Sequence, residues 1–291
     1  MQWVDKLAAN LPAVKHFHIV FTIPSCLHNL FYLNQQVAYS LLFKAVGKTL
    51  VQCAKNTEYL GAQAGAVALL HTWGQTLAYH PHIHTIVPAG GLSDDGMEWI
   101  PSAKKFFVPV KVLSAVFRGI LCRLLEEAIN KGEIKLPDDT TCFQTLKTKC
   151  YAKKWVVYAQ KPFSSPDNLI QYLGNYTHRV AISNHRIIDY IDGKVTFYYK
   201  DNKAGGTRKT MTLEVDEFIR RFMQHVLPSG FCKIRYFYII DRNTALCYQS
   251  SCFRTVLCKF GIHQKCQDIF AFFQLCCRVR SGRDICGLSA L

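Results

Sequence analysis

The segment LAYHPHIHTIVPAGG, residues 77 to 91, sets His80, His82 and His84 at alternate positions in a chain of 291 residues that holds 11 histidines. Alternation is the period of a β-strand, so His82 and His84 project from one face while Ile83 turns to the core. Neutral imidazole is the commonest nitrogen ligand of divalent metals, and two of them on a rigid strand make half of a metal site. Pro81 donates no ladder hydrogen bond and puts His80 at the strand entry, a weaker ligand candidate. Spacing alone leaves open a competing reading, a histidine pair that caps polar groups at a sheet edge, because His16 and His18 repeat His-x-His in HFHIVFTIP, residues 16 to 24. The third histidine and the Gly-Gly stop favour a ligand set.

A second constellation lies in SSPDNLIQYLGNYTHRVAI. Ser165, Pro166 and Asp167 mark a helix start, with a capping hydroxyl, a first-turn proline and a carboxylate at the positive dipole end. Tyr172 and Tyr176 then fall four residues apart on one helical face, and could present two nucleophiles in turn to one metal-bound phosphate. Leu169, Leu173, Tyr176 and Val180 also have core spacing, so packing aromatics would look similar. The conjunction with His-x-His is more informative than either motif. Cutting and rejoining single-stranded DNA by transesterification needs a divalent ion at the phosphate, a nucleophile whose ester conserves the bond energy, and a basic, aromatic groove. Tyrosine suits the second role because a phenol ionises far more readily than an aliphatic hydroxyl. No Gly-rich phosphate loop is present, and none is required by this chemistry.

The elements that must position these groups follow from pattern. HFHIVFTIP reads as a buried strand ending at Pro24, followed by two helical patterns from Leu30 to about Leu70 and then by the histidine strand. FFVPVKVLSAVFRGILCRLLEEAINKG is an amphipathic helix entered after Pro109 and closed near Gly132, and WVVYAQKPF is a short strand. KVTFYYKD and TRKTMTLE form a hairpin joined by residues 203–206, and VDEFIRRFMQHVLPSG is a further helix.

Composition narrows the partners. Residues 1–100 carry five basic and five acidic side chains out of totals of 35 and 20, so the whole net charge of +15 lies in the last two thirds. That excess favours a polyanion, most often nucleic acid. His178, Arg179, Arg186, Lys200, Lys203, Arg208 and Lys209 surround the tyrosines or lie on the hairpin and are candidate phosphate contacts, with a solvated basic face as the alternative. The N-terminus lacks a signal-peptide pattern and no apolar run reaches the roughly 18 residues of a membrane span, so the chain is expected in the cytoplasm, with the nucleoid. Eight of 13 cysteines fall between Cys232 and Cys286, yet no Cys-x-x-Cys occurs, which argues against a zinc ribbon.

HPHIHTIVPAGG, YLGNYTHRVAISNHRI and TLEVDEFIRRFMQHVLPSGFCKIRYF, in this order after HFHIVFTIP, closely resemble the two-tyrosine HUH transposases of the insertion-sequence 91 group, which move by a rolling-circle route. The resemblance covers roughly residues 3 to 240. It implies an α+β fold, an HUH-type central antiparallel sheet flanked by helices. It implies that His82-Ile83-His84 binds Mg²⁺ or Mn²⁺, and that Tyr172 and Tyr176 form 5′-phosphotyrosine links to single-stranded DNA at transposon ends. A third ligand is expected, with His18, His80 and Asn184 as candidates in that order.

Three departures from the family pattern stand out. The family's cysteine-rich, zinc-binding segment is expected to be missing ahead of Met1. Asn175 stands where a basic residue is usual, and the likeness fades after about Ile240. Residues 1–240 are therefore read as the catalytic domain and 241–291 as a divergent Cys-rich tail, the pattern of a truncated copy with impaired end recognition. The rival readings are an inactive remnant that only binds DNA and a metal-dependent hydrolase. Thr85 and Ile86 follow His84 where a metallo-β-lactamase fold needs an Asp.

Overall fold

Strand β1 (His16–Thr22) forms because HFHIVFT is β-branched and aromatic, and Pro24 in an extended conformation ends it. A computed structural model describes residues 14–102, 107–160, 181–201 and 204–237. After β1 come a 3₁₀ turn (Ser25–Leu27), α1 (His28–Leu33), α2 (Gln35–Lys55), β2 (Ala66–Trp73), β3 (Tyr79–Pro88), β4 (Gly90–Leu92) and β5 (Trp99–Pro101). Then follow α3 (Val110–Asn130), α4 (Phe143–Ala152), β6 (Val156–Ala159), a second 3₁₀ turn (Asn184–Arg186), β7 (Ile187–Ile191), β8 (Lys194–Asp201), β9 (Thr207–Glu214), α5 (Val215–Met223) and β10 (Ile234–Phe237).

Five strands make the central sheet in the order β10-β2-β3-β1-β6, with antiparallel pairing throughout. The pleat divides it into two faces. Phe17, Ile19 and Phe21 of β1, Ala66, Ala68 and Leu70 of β2, Ile83 and Val87 of β3 and Val157 of β6 join the core cluster with α2 and α3. Phe21 meets Phe117 of α3 edge to face at 5.1 Å, and Phe117 meets Trp155 at 5.2 Å. α3 ends in a Schellman motif, in which Gly132 at φ +73° donates to the Ile129 carbonyl and Glu133 to that of Ala128. The fold is therefore α+β, an antiparallel sheet with helices packed against it.

One expectation fails in a way that bears on the site. The helical patterns expected from Leu30 to about Leu70 stop short of that end, because the residues from Ala66 onward form strand β2. β2 lies between β10 and β3 and is buried on both faces as far as Thr72, so AVALLHTW shows no alternation to separate a strand from a helix.

A second sheet, β7-β8-β9, packs with α5 against the β2–β3 turn, around Leu77, Ala181 and Phe197. β8 and β9 pair from Lys194–Glu214 to Asp201–Thr207, as the hairpin pattern requires. Asp192 and Gly193, both at positive φ, form the two-residue loop between β7 and β8. The expected helix with Tyr172 and Tyr176, Lys203 of the 203–206 connection and the 241–291 tail lie outside the described residues. Among those residues no helix is long and apolar enough to cross a membrane.

Candidate metal centre

The second face of the central sheet carries the histidines. Register sets His71 of β2 opposite His82 of β3, which in turn faces Thr22 of β1; Leu69, His84 and Val20 form the next row. A β-bulge follows His71, where pairing skips to Trp73–Tyr79. Bulges re-aim side chains beside functional sites. The bulged strand is β3, where His80 and Pro81 oppose Thr72 alone; the Thr72 hydroxyl donates to His225 Nδ1 at 3.2 Å, and His225 Nε2–H donates to the Leu77 carbonyl at 3.1 Å. The turn after His71 is thereby fixed.

His71, His82 and His84 each offer a ring nitrogen, and these three atoms lie within 4.8 Å of one another. His71 and His84 are buried and His82 is half-buried. Burial holds the His71 and His84 imidazolium forms well below the usual range and pushes His82 down to about 4, with the neighbouring imidazoles adding to the effect. All three rings are therefore neutral near pH 7, the state that coordinates a metal.

Hydrogen bonds choose the tautomers. His82 Nδ1–H donates to the His80 carbonyl at 2.6 Å, which leaves the Nε2 lone pair for a ligand. Behind His84 runs a relay: His18 Nδ1–H donates to Gln160 Oε1 at 3.2 Å, and His18 Nε2 accepts from His84 Nδ1–H at 2.9 Å. The His18 and His84 rings stack 5.1 Å apart. Gln160 thus fixes His18, His18 fixes His84, and His84 presents Nε2. Metal-bound histidines have this outer-shell arrangement, one nitrogen held by protein and one on the ion.

The donor set fits a divalent cation. Three protein ligands leave coordination positions open, as catalytic rather than closed structural sites do. The group contains no carboxylate, so a bound ion would keep its full charge for a phosphate oxygen.

The structure and the sequence reading differ on the third ligand. His71 joins His82 and His84, whereas His18, the first choice, stands behind His84 as its hydrogen-bond acceptor. His80 contributes its carbonyl to His82, and Asn184 opens the 3₁₀ turn before β7; neither belongs to the group. The residues missed were His71 and Gln160. The available signal was a lone histidine closing an apolar run, which becomes informative once that run is known to pair with the His-x-His strand.

The basic candidates separate by what they touch. Arg186 donates from Nε to the Tyr198 carbonyl at 2.8 Å and from Nη2 to the Gln75 carbonyl, so it ties the second sheet to the β2–β3 turn. Lys209 pairs with Asp201 at 2.8 Å. Lys200 and Arg208 are exposed and face one another across β8–β9, with the Arg208 guanidinium 3.5 Å from the Tyr198 ring centroid. Tyr172, Tyr176, His178, Arg179 and Lys203 lie outside the described residues.

Residues 65–245 match a family model described as "Putative transposase". The chain is 44% identical over 242 residues to "Putative transposase y4qJ" of Sinorhizobium fredii (strain NBRC 101917 / NGR234), a match over 81% of this chain and 61% of that protein. It is 27% identical over 237 residues to the "Transposase for insertion sequence element IS801" of Pseudomonas savastanoi pv. phaseolicola, over 81% and 57%. The chain thus spans about three-fifths of the length of these curated relatives. Among solved structures it matches the conjugative relaxase TrwC in complex with oriT DNA, in a metal-bound form (TM-score 0.30, 15% identity, 56% of this chain and 70% of that one). The copper-bound form of that complex gives a TM-score of 0.27 at 14% identity, over 55% and 68%. The family match spans β2 to β10 and so includes all three clustered histidines and both tyrosines: the chain belongs to the insertion-sequence 91-like family of two-tyrosine, HUH-type transposases.

Proposed function

We propose that this chain nicks and rejoins single-stranded DNA at transposon ends through 5′-phosphotyrosine intermediates, as a rolling-circle transposase acting on nucleoid DNA. The observation that carries the reading is the convergence of three neutral imidazoles on one sheet face, two of them with Nδ1 committed to acceptors of the protein. In this reading His71, His82 and His84 hold the metal, and residues 1–240 form the catalytic unit. Mg²⁺ and Mn²⁺ are the candidates; the all-nitrogen donor set suits Mn²⁺ better, because Mg²⁺ prefers oxygen. The bound ion supplies Lewis-acid polarisation of the scissile phosphate.

The chain's own residues supply the rest. The phenolic oxygen of Tyr172 or Tyr176 attacks phosphorus, the P–O3′ bond breaks, the phenol gives up its proton and the 3′-oxygen gains one. The 5′-phosphotyrosine ester conserves the bond energy, so a 3′-hydroxyl attacking the same phosphorus rejoins the strand without a nucleotide cofactor. Two tyrosines allow two ends to be held in turn. Lys200 and Arg208, exposed across β8–β9, are candidate contacts to backbone phosphates.

The test is Mn²⁺-dependent cleavage of end-labelled single-stranded DNA from the element's ends. The reading expects cleavage by the chain, loss in His71→Ala and His82→Ala, and loss in Tyr172→Phe/Tyr176→Phe. Binding without cleavage by the unaltered chain would leave the DNA-binding remnant instead.

A further inference from the structure

We propose that Tyr158, with Val156 beside it, is a nucleobase-stacking platform on the open edge of the central sheet, gripping single-stranded DNA next to the histidine group. The proposal rests on the single-stranded DNA reading above and extends it to a site and a residue. β6 is the edge strand, and its register sets Tyr158 opposite Val20, itself opposite His84; Val156 is likewise opposite Thr22 and then His82. Both β6 side chains therefore stand on the histidine face, two strands away, about 10 Å at the usual inter-strand spacing.

Exposure changes sharply along that row. Leu69 is 2% exposed and His84 7%, while Tyr158 is 54% exposed and Val156 59%. A half-exposed tyrosine ring adds little to the core, and among the described residues its hydroxyl makes no hydrogen bond, so packing does not account for it.

The surroundings indicate the occupant. Of the lysines in residues 147–160, Lys147 is paired with Glu126 of α3 at 2.9 Å, and Lys149, Lys153 and Lys154 are exposed. Lys153 and Lys154 stand at the entry to β6, next in sequence to the platform. Exposed lysines beside an exposed aromatic suit a single strand, whose phosphates pair with the former while a base stacks on the latter without regard to sequence. Lysines at the edge also discourage pairing with another strand, the other obvious occupant.

The experiment measures binding of the full chain to fluorescein-labelled oligothymidylate in Mn²⁺, for the unaltered protein and for Tyr158→Ala, Tyr158→Phe and Tyr158→Trp. Tyr158→Ala should weaken binding by about 5- to 150-fold, the range for losing one stacked base. Tyr158→Phe should bind within about twofold of the unaltered chain, since the π-face is kept. Tyr158→Trp emission should be quenched by the oligonucleotide and not by an abasic strand of equal length. Unaltered affinity in Tyr158→Ala overturns the platform alone, whereas failure of the unaltered chain to bind any single strand overturns the function on which it rests. A shift in sedimentation of Tyr158→Ala with unchanged DNA affinity makes the edge a subunit contact and also overturns it.

Discussion

Replacing His18 with Phe keeps a ring of similar size stacked on His84 but removes the acceptor 2.9 Å from His84 Nδ1. His84 would then lose the bond that keeps its proton on Nδ1, and the Nε2 lone pair would be offered only part of the time. Outer-shell partners of this kind contribute about 10- to 100-fold to metal affinity, or about 1.4 to 2.7 kcal/mol. Titration calorimetry with Mn²⁺ should show that loss in His18→Phe and substantial recovery in His18→Gln, whose side-chain oxygen can accept the same proton. Pulsed electron paramagnetic resonance of the Mn²⁺-loaded protein should count three coupled imidazoles in His18→Phe and two in His71→Phe. If His18→Phe loses an imidazole, His18 is itself a ligand. If it binds Mn²⁺ as tightly as the unaltered chain, the relay does not position His84.

Three further outcomes follow from other parts of the structure. His16 and His82 are each lowered to about 4 from an ordinary 6.5 by burial. The folded state therefore keeps them neutral while the unfolded state takes up protons, so stability is full above pH 6.5 and lost as pH falls towards 4; His16 alone accounts for up to about 3 kcal/mol. Melting temperatures of the metal-free protein should drop across that window, and a flat profile from pH 6.5 to 5 would contradict the buried, neutral assignment. A Cβ on Gly91 would overlap the Gln63 carbonyl on the neighbouring bridge, so Gly91→Ala should lower stability by about 1–3 kcal/mol, and a denaturant midpoint equal to that of the unaltered protein would show that the bridge yields freely. Arg186→Ala should lower the melting temperature without changing the salt dependence of DNA binding, while Lys200→Ala and Arg208→Ala should each reduce the salt slope by about 0.7 if each neutralises one phosphate; the opposite pattern would reverse the roles read from their contacts.

What the sequence disclosed depended on local periodicity. His82 and His84 were legible because alternation fixes their common face, and α3 was legible from its apolar stripe and closing Gly132. His71 was not, since β2 is buried on both faces and reads as an unpatterned apolar run; only its pairing with β3 brings that histidine opposite His82. His18 was legible as a candidate, but its contact with His84 was not, because it arises diagonally between two strands whose register the sequence does not state. Charge alone likewise cannot separate Arg186, committed to backbone carbonyls, from Lys200 on the open face.

The central claim is that the histidine group serves a tyrosine that becomes joined to DNA. The direct measurement is to incubate the chain with Mn²⁺ and single-stranded DNA from the element's ends, digest DNA and protein, and weigh the peptide containing residues 172–176. The account predicts that this peptide carries a nucleotide 5′-phosphate on Tyr172 or Tyr176, and that the adduct is lost in His71→Ala. An unmodified peptide from protein that has cut the strand, or an adduct that forms equally well in His71→Ala, would contradict it.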